Sequence, residues 1–401
     1  MKSFFSDERI NTGRQIELDM IKALCIILMI ISHTFDVLVD DPSAIKTFIE
    51  VVDVFLGAAI FMFCMGVGMR YSRHQEAKDF LIRGIDLLTV GQILNLIRNC
   101  IPNLILYRII GETYVLANAF LVLQADIMTF AGFAFIFMAL LRRLKVSNLS
   151  MVVIGVVLNL FNYIQPHFIP SPDNYLLRMF IGFFITNKAE SYFSLAAYFI
   201  FVAVGYYVGE WYPRIKDKDG LSSRVIMIGL PICLLYYVIR MNVDIPFMPE
   251  FNSELQYVYN VGADAYINIL NGLVIIAICY KLSKVWGSGL NGSITYISSH
   301  INEYYCISSV LIYWSLAIYG LTGSGLRGGI IPLIYGIIAI FLTTMVIMIN
   351  EKKFHIHIMG QKGGKKAVVY TIAWLGTAVA VAYIYPQLTE YATFWNEYLL
   401  S

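Results

Sequence analysis

RQIELDMIKALCIILMIISH, residues 14–33, decides what kind of chain this is. A polar start carrying Arg14, Glu17 and Asp19 gives way to an apolar run that continues past His33 to residue 39. A bilayer core takes about 20 predominantly apolar helical residues, and 20–39 meets that length. Two ionisable side chains, Lys22 and His33, stand inside the run. Eleven residues are about three helical turns, so both lie on one face, roughly 16 Å apart along the axis. They cannot touch; the spacing puts Lys22 near one headgroup layer and His33 about two thirds of the way across. The preceding segment, MKSFFSDERINTGRQIELD, is polar for too long to be a signal peptide. The first apolar run is therefore expected to stay as a helix.

The rest of the chain agrees. Of 401 residues, 58% are hydrophobic and 14% charged, against about 25% charged in soluble domains; the mean hydropathy is +0.68. These values exclude a disordered chain, a disulfide-stapled secreted domain and a soluble two-domain enzyme. The net charge of +2 carries no nucleic-acid footprint. The six cysteines lack CxxC or metal-ligand spacing. Five of them (Cys25, Cys64, Cys233, Cys279 and Cys306) sit in apolar stretches where a free thiol acts as a small hydrophobe. Neither a disulfide framework nor a metal site is expected.

The expected class is an all-α polytopic membrane protein of about 11 spans, near 20–39, 48–69, 80–97, 119–141, 149–166, 190–209, 223–240, 262–280, 302–320, 328–349 and 367–386. The segment 174–187 is too short, and Arg178 interrupts it, so an interfacial or re-entrant piece is expected there. Alternate loops on the N-terminal side carry 21 Lys and Arg, the opposite side seven. By the positive-inside rule the N-terminus is cytoplasmic and the C-terminus outside. The chain is expected to form one domain, with 1–19 a cytoplasmic segment, 20–386 the helix bundle and 387–401 an external tail.

Ionisable groups within spans are expensive and mark cavities or partners. Asp36 follows His33 by one turn, and the short 40–47 loop returns Glu50 and Asp53 towards it. A histidine with carboxylates at the outer end of one helix hairpin suits a general base. The same histidine could equally bond a neighbouring helix, and Lys22 could snorkel to the interface. Arg83 and Asp86 read as a structural ion pair. Asp264 with Asn260 and Asn268 could line a pore or hold a sugar, and His300 stands near Asn302 and Glu303. GQKGGKK (360–366) could bind phosphate through amides and lysines or serve the charge bias alone; the nearby HIH (355–357) is a weak metal signal.

Residues 14–33 resemble the opening of the membrane-bound acyltransferase-3 superfamily, in which an arginine and an aspartate precede a basic residue, ten residues and a histidine. Here those are Arg14, Asp19, Lys22 and His33. The family usually has arginine where this chain has Lys22; lysine keeps the charge and loses the bidentate fork. VVDVFLGAAIFMFCMGVGMRYSR looks like the second helix of the heparan-α-glucosaminide N-acetyltransferase-like branch at Asp53, Phe61, Phe63, Gly66 and Arg70. LQADIMTFAGFAF (123–135), SYFSLAAYFIFVAVGYYVG (191–209) and SSHINEYYCISSVLIYW are further likenesses.

The resemblance implies an integral membrane acyltransferase that takes an acyl group, acetyl in the simplest case, from cytoplasmic acyl-CoA. The acceptor would be a hydroxyl or amine of a sugar or cell-envelope glycan. His33 would be the base or acyl carrier, with Asp36 and Asp53 supporting it. Lys22, Arg14, Arg70, Arg73, Arg142 and Arg143 would hold the CoA phosphates, although Arg142 and Arg143 could only fix topology. Asn187 and Asn302 are candidate oxyanion donors. The expected partners are acyl-CoA, the glycan acceptor and the lipid bilayer, with a homodimer left open, in a bacterial cytoplasmic membrane. A multi-pass transporter or flippase is the competing class, and a non-catalytic sensor on the same scaffold is a third.

Overall fold

In a computed structural model the chain is described at residues 4–38, 43–172, 174–186, 192–243, 248, 262–322, 329–356 and 363–388. Among these residues it is all α, with a single β-bridge between Phe5 and Ile215. In chain order the helices are α1 (Ile16–Leu38), α2 (Ala44–Leu56), α3 (Ala58–Tyr71), α4 (Ala77–Asn95), α5 (Ile101–Ile110), α6 (Thr113–Phe120), α7 (Ile127–Arg143) and α8 (Asn148–Ile164). They continue with α9 (Tyr175–Gly182), α10 (Leu195–Trp211), α11 (Lys218–Asn242), α12 (Ala263–Val285), α13 (Ser288–Ser299), α14 (Ile301–Thr322), α15 (Ile331–Ile349) and α16 (Gly363–Leu388).

Among the described residues, eight helical segments are long and apolar enough to cross a membrane. Three of them are composite: α2 with α3, broken at Gly57; α4 with α5, joined through a π-helical turn at Leu96–Cys100; and α6 with α7. Of the other expected spans, α8 and α10 have 17 residues each, about 26 Å of rise against a core of about 30 Å. The segment after residue 174 forms the eight-residue α9.

α1 is central. It packs against α2, α3 and the four helices α12 to α15, and it buries Met20, Ile21, Ile30 and Phe35. Glycine sets the closest approach in the bundle: a side-chain carbon at Gly66 would run into the Val202 carbonyl, and one at Gly205 into the Phe63 carbonyl. Bare backbone at both positions lets α3 and α10 meet at main-chain distance, the small-residue packing that membrane helices use in place of a hydrophobic driving force. The N-terminal segment is tied down beside this seam. Glu17 accepts from Lys218 Nζ at 2.7 Å and from the Tyr212 hydroxyl at 2.5 Å.

Several expectations are corrected. The third span does not end at residue 97. The π turn absorbs the break, and Pro102 sits in the first turn of α5, where its missing N–H is tolerated. Arg98, counted with an outer loop, is therefore buried inside the bundle. Arg178 and Arg240, counted on the same side, are buried as well. Removing three of seven strengthens the charge bias. Asp264 is engaged within the bundle: it pairs with Arg240 at 3.2 Å and accepts from the Tyr236 hydroxyl at 2.7 Å. Asp86 pairs with Lys366 at 2.8 Å, not with Arg83. All six cysteines are free and buried. Asn187, Asn260, His357, residues 360–362 and all but the start of the expected tail lie outside the described residues.

Candidate active site

A cavity of about 1190 Å³ runs along one face of α1. Lys22, Cys25, Met29, Ser32, His33 and Asp36 line it, at the three- and four-residue spacing that places side chains on one helical face. Lys22 and His33 thus share a wall, as their spacing predicts. Near the N-terminal end of α1 the wall includes Ser72, His74 and Arg83; near the far end it includes Lys46, Glu50 and Asp53. The cavity therefore draws residues from both ends of the bundle. Single-ligand pockets occupy about 300–1,000 Å³, and this one exceeds that range.

His33 stands between those ends. Its Nδ1 is buried and lies near the Met29 main chain without a well-formed hydrogen bond. Buried ring nitrogens normally find a partner. With Nδ1 enclosed beside the Met29 main chain, the other ring nitrogen is the one a general base would use. Neither supporting carboxylate bonds the imidazole. Asp36 accepts from the Ser32 hydroxyl at 3.3 Å, and Asp36 and Asp53 are electrostatic neighbours of each other across the hairpin. Lys46 pairs with Glu50 at 3.9 Å. The far end of the cavity thus offers three carboxylates and one ammonium.

Of the six basic residues assigned to the donor, Lys22 lines the cavity and the five arginines do not. Lys22 lines the cavity, with its ammonium facing Gly68 of α3, where a side-chain carbon would lie 4.0 Å away. Arg70 lies over the Tyr206 ring at 5.8 Å, and Arg142 donates to the Gln75 carbonyl at 3.3 Å. Gln75 in turn accepts from the Tyr206 hydroxyl at 3.2 Å and braces the turn after α3 by donating to the carbonyls of Met69 and Ser72. Arg70 and Arg142 so converge on the turn that carries His74 into the cavity mouth. Arg73 and Arg143 are exposed and outside the wall. Arg14 is also outside it, pairing with Asp19 and donating to the Thr295 carbonyl at 3.1 Å. Asp19 accepts from Ser298 at 2.7 Å, so this motif arginine ties the start of α1 to α13.

The sequence marks Asp126, beside Gln124, as an ionisable group within a span, but not its partners Arg98 and Tyr305. Arg98 donates through Nη2 to Asp126 Oδ2 at 3.0 Å and through Nη1 to the Tyr305 hydroxyl at 3.1 Å. That hydroxyl donates to the same Asp126 oxygen at 3.2 Å. All three residues line the cavity, as does Asn302. The one signal for Arg98 was NLILYRII (103–110), an apolar continuation that only makes sense if the helix passes Pro102.

A family model for an acyltransferase domain, that of acyltransferase-3, matches residues 15–349. The chain belongs to the acyltransferase-3 family. Comparison with curated proteins and with solved structures finds no significant match. The residues lining the cavity all fall within the matched range, so the cavity lies inside the family domain. α16 lies beyond it and still reaches the wall, where its Lys366 holds Asp86.

Proposed function

We propose that this acyltransferase moves an acyl group, acetyl in the simplest case, from acyl-CoA bound at the N-terminal, cytoplasmic face to a hydroxyl or amine of a sugar or envelope glycan at the other. The observation that carries this is the cavity itself. It has a cationic side chain on the His33 stripe at one end, carboxylates suited to hydrogen-bonding a polyol at the other, and the His33 imidazole between them. An extended pantetheine arm matches the rise of roughly 16 Å from Lys22 to His33. The volume supports donor and acceptor being present together, so transfer can be direct, with His33 taking the acceptor proton. The likeness of Asp53, Phe61, Phe63, Gly66 and Arg70 to the heparan-α-glucosaminide N-acetyltransferase-like branch favours a glycan acceptor, and O-acetylation of a bacterial cell envelope fits the expected location.

The test is to reconstitute the full chain in sealed vesicles of known orientation and supply labelled acetyl-CoA with a panel of glycans. Thioester cleavage with label on the glycan supports the proposal. Glycan movement without cleavage would establish the transporter class instead. Free CoA should emerge on the side bearing the N-terminus; release on the opposite side overturns the orientation.

A further inference from the structure

Arg98 stands in a five-residue π turn in the middle of a 34-residue helical segment and is 2% exposed. π turns inside α-helices recur at functional sites, and here the turn carries the arginine into the cavity wall. A guanidinium has five N–H donors. Two are engaged, one with Asp126 and one with Tyr305, and Nε is buried without a partner. The Tyr313 ring lies 5.3 Å from the guanidinium on the same wall. Arg98 and the His33 imidazole line the same cavity. Asp126 accepts from the Thr129 amide at 2.8 Å at the start of α7, so the anchor for the arginine is itself fixed by backbone.

Arg98 lines the cavity, and Asp126 and Tyr305 fix its two Nη nitrogens, each of which keeps a second N–H. Fixed donors facing a low-dielectric cavity are the arrangement that stabilises charge as it develops. We propose that Arg98 is a catalytic residue of the transfer, its guanidinium donating to the thioester carbonyl oxygen as that oxygen becomes negative. This rests on the acyl-CoA reading above. The acceptor O–H or N–H attacks the carbonyl carbon while neutral His33 takes its proton. The C=O π electrons move to the oxygen held by Arg98. Collapse re-forms C=O and breaks the C–S bond, and the leaving thiolate receives the proton from His33. The products are the ester or amide and CoA thiol, with Arg98 unchanged. Asp126 and Tyr305 are positioning residues: they hold the guanidinium flat against the wall and keep the buried pair neutral overall.

The test uses the full chain in detergent with labelled acetyl-CoA, and reads kcat beside the Kd of unacylated CoA. Arg98→Gln combined with Asp126→Asn leaves no buried charge unpaired. It should lower kcat by about 10²–10³-fold, the range for loss of an oxyanion donor, with Kd within about threefold of wild type. Unchanged kcat overturns the proposal, as does a rise in Kd without a fall in kcat, which would make Arg98 a donor-binding group. If that variant does not fold, Tyr305→Phe keeps both charges and removes one anchor. It should lower kcat by about tenfold at constant Kd, and wild-type turnover there overturns the proposal equally. Wild-type protein that leaves the thioester intact defeats the functional reading and this inference with it. Cleavage that is lost in His33→Ala but kept in the Arg98 variants defeats this inference alone.

Discussion

Two buried arginine–aspartate pairs in this bundle are alike in composition and differ in how the arginine is used. Arg240 grips Asp264 side-on, Nε to Oδ1 at 3.2 Å and Nη2 to Oδ2 at 3.4 Å, and Tyr236 donates to the same carboxylate. Arg98 grips Asp126 with one Nη, rests the other on Tyr305, and leaves Nε unspent. The first pair lies between α11 and α12, away from the cavity wall; the second lines the wall beside the His33 stripe. Burial and tyrosine partners are common to both. What separates them is place: Arg98 lines the cavity wall beside the His33 stripe, and Arg240 does not. A buried ion pair is weak evidence for stability or for function, and position on the cavity wall discriminates between the two.

That contrast collapses unless chemistry occurs on the cavity wall, so the largest expected effect is at His33. His33→Ala should lower kcat by about 10²–10⁴-fold, the usual contribution of a general base, with CoA binding retained. Wild-type turnover in this variant would remove the cavity as the reaction site. The next effect belongs to the other pair and should appear in stability, not rate. Asp264→Asn leaves Arg240 buried against a neutral partner and should destabilise the chain by about 3–5 kcal/mol, read as a lower melting temperature. Turnover per folded molecule should not change. Arg240→Met with Asp264→Leu should recover most of the loss, because apolar replacements of a buried pair are often neutral. Lost turnover in the folded double variant would erase the distinction between the pairs.

A smaller effect tests the frame that holds the wall. Gly66→Ala puts a methyl group against the Val202 carbonyl, and overpacking of this kind costs about 1–3 kcal/mol. Melting should fall while the Kd for CoA stays constant, because Gly66 faces α10 and not the cavity.

The helical class was legible in the sequence because repeated apolar runs of bilayer length are characteristic of membrane-spanning helices. The shared face of Lys22 and His33 was equally legible, since helical geometry fixes it. Arg98 was not. Its flanks, Asn95, Asn99 and Pro102, carry the marks of a helix end, and only the π turn lets one helical segment continue through them. Nor could spacing show that Arg14 serves Asp19 and the Thr295 carbonyl, a contact across 281 positions. Local periodicity reports which face a residue is on; it does not report which distant element meets that face.

The carboxylates at the far end come next in size. Asp36 and Asp53 line the far end of the cavity, and Asp36 bonds Ser32 and not His33, so each is expected to act on the acceptor or through the local field. Asp53→Asn and Asp36→Asn should each lower kcat by about tenfold or less, with the larger loss at Asp53. Both should leave CoA affinity alone. A large loss of CoA affinity in either would place the donor at the wrong end of the cavity.

Lys22 gives the smallest effect and the one that fixes direction. It lines the cavity on the His33 stripe near the N-terminal end of α1, and Gly68 opposite leaves its ammonium room. An ammonium can attract phosphate as a point charge but cannot grip it with a fork, so its loss should weaken binding without disturbing the chemistry. Lys22→Ala is expected to raise the KM for acyl-CoA by about tenfold or less, one charge-assisted contact, with kcat nearly constant. Charges near the surface are screened over about 10 Å at 0.1 M salt, so raising salt should weaken donor binding to the wild type more than to Lys22→Ala. Lys22→Arg should restore the affinity. A fall in kcat at constant KM would move Lys22 into the chemical step. It would then stand with Arg98 on the reacting side of the contrast, and the donor phosphates would need another cation, for which Arg83 on the wall near the same end is a candidate.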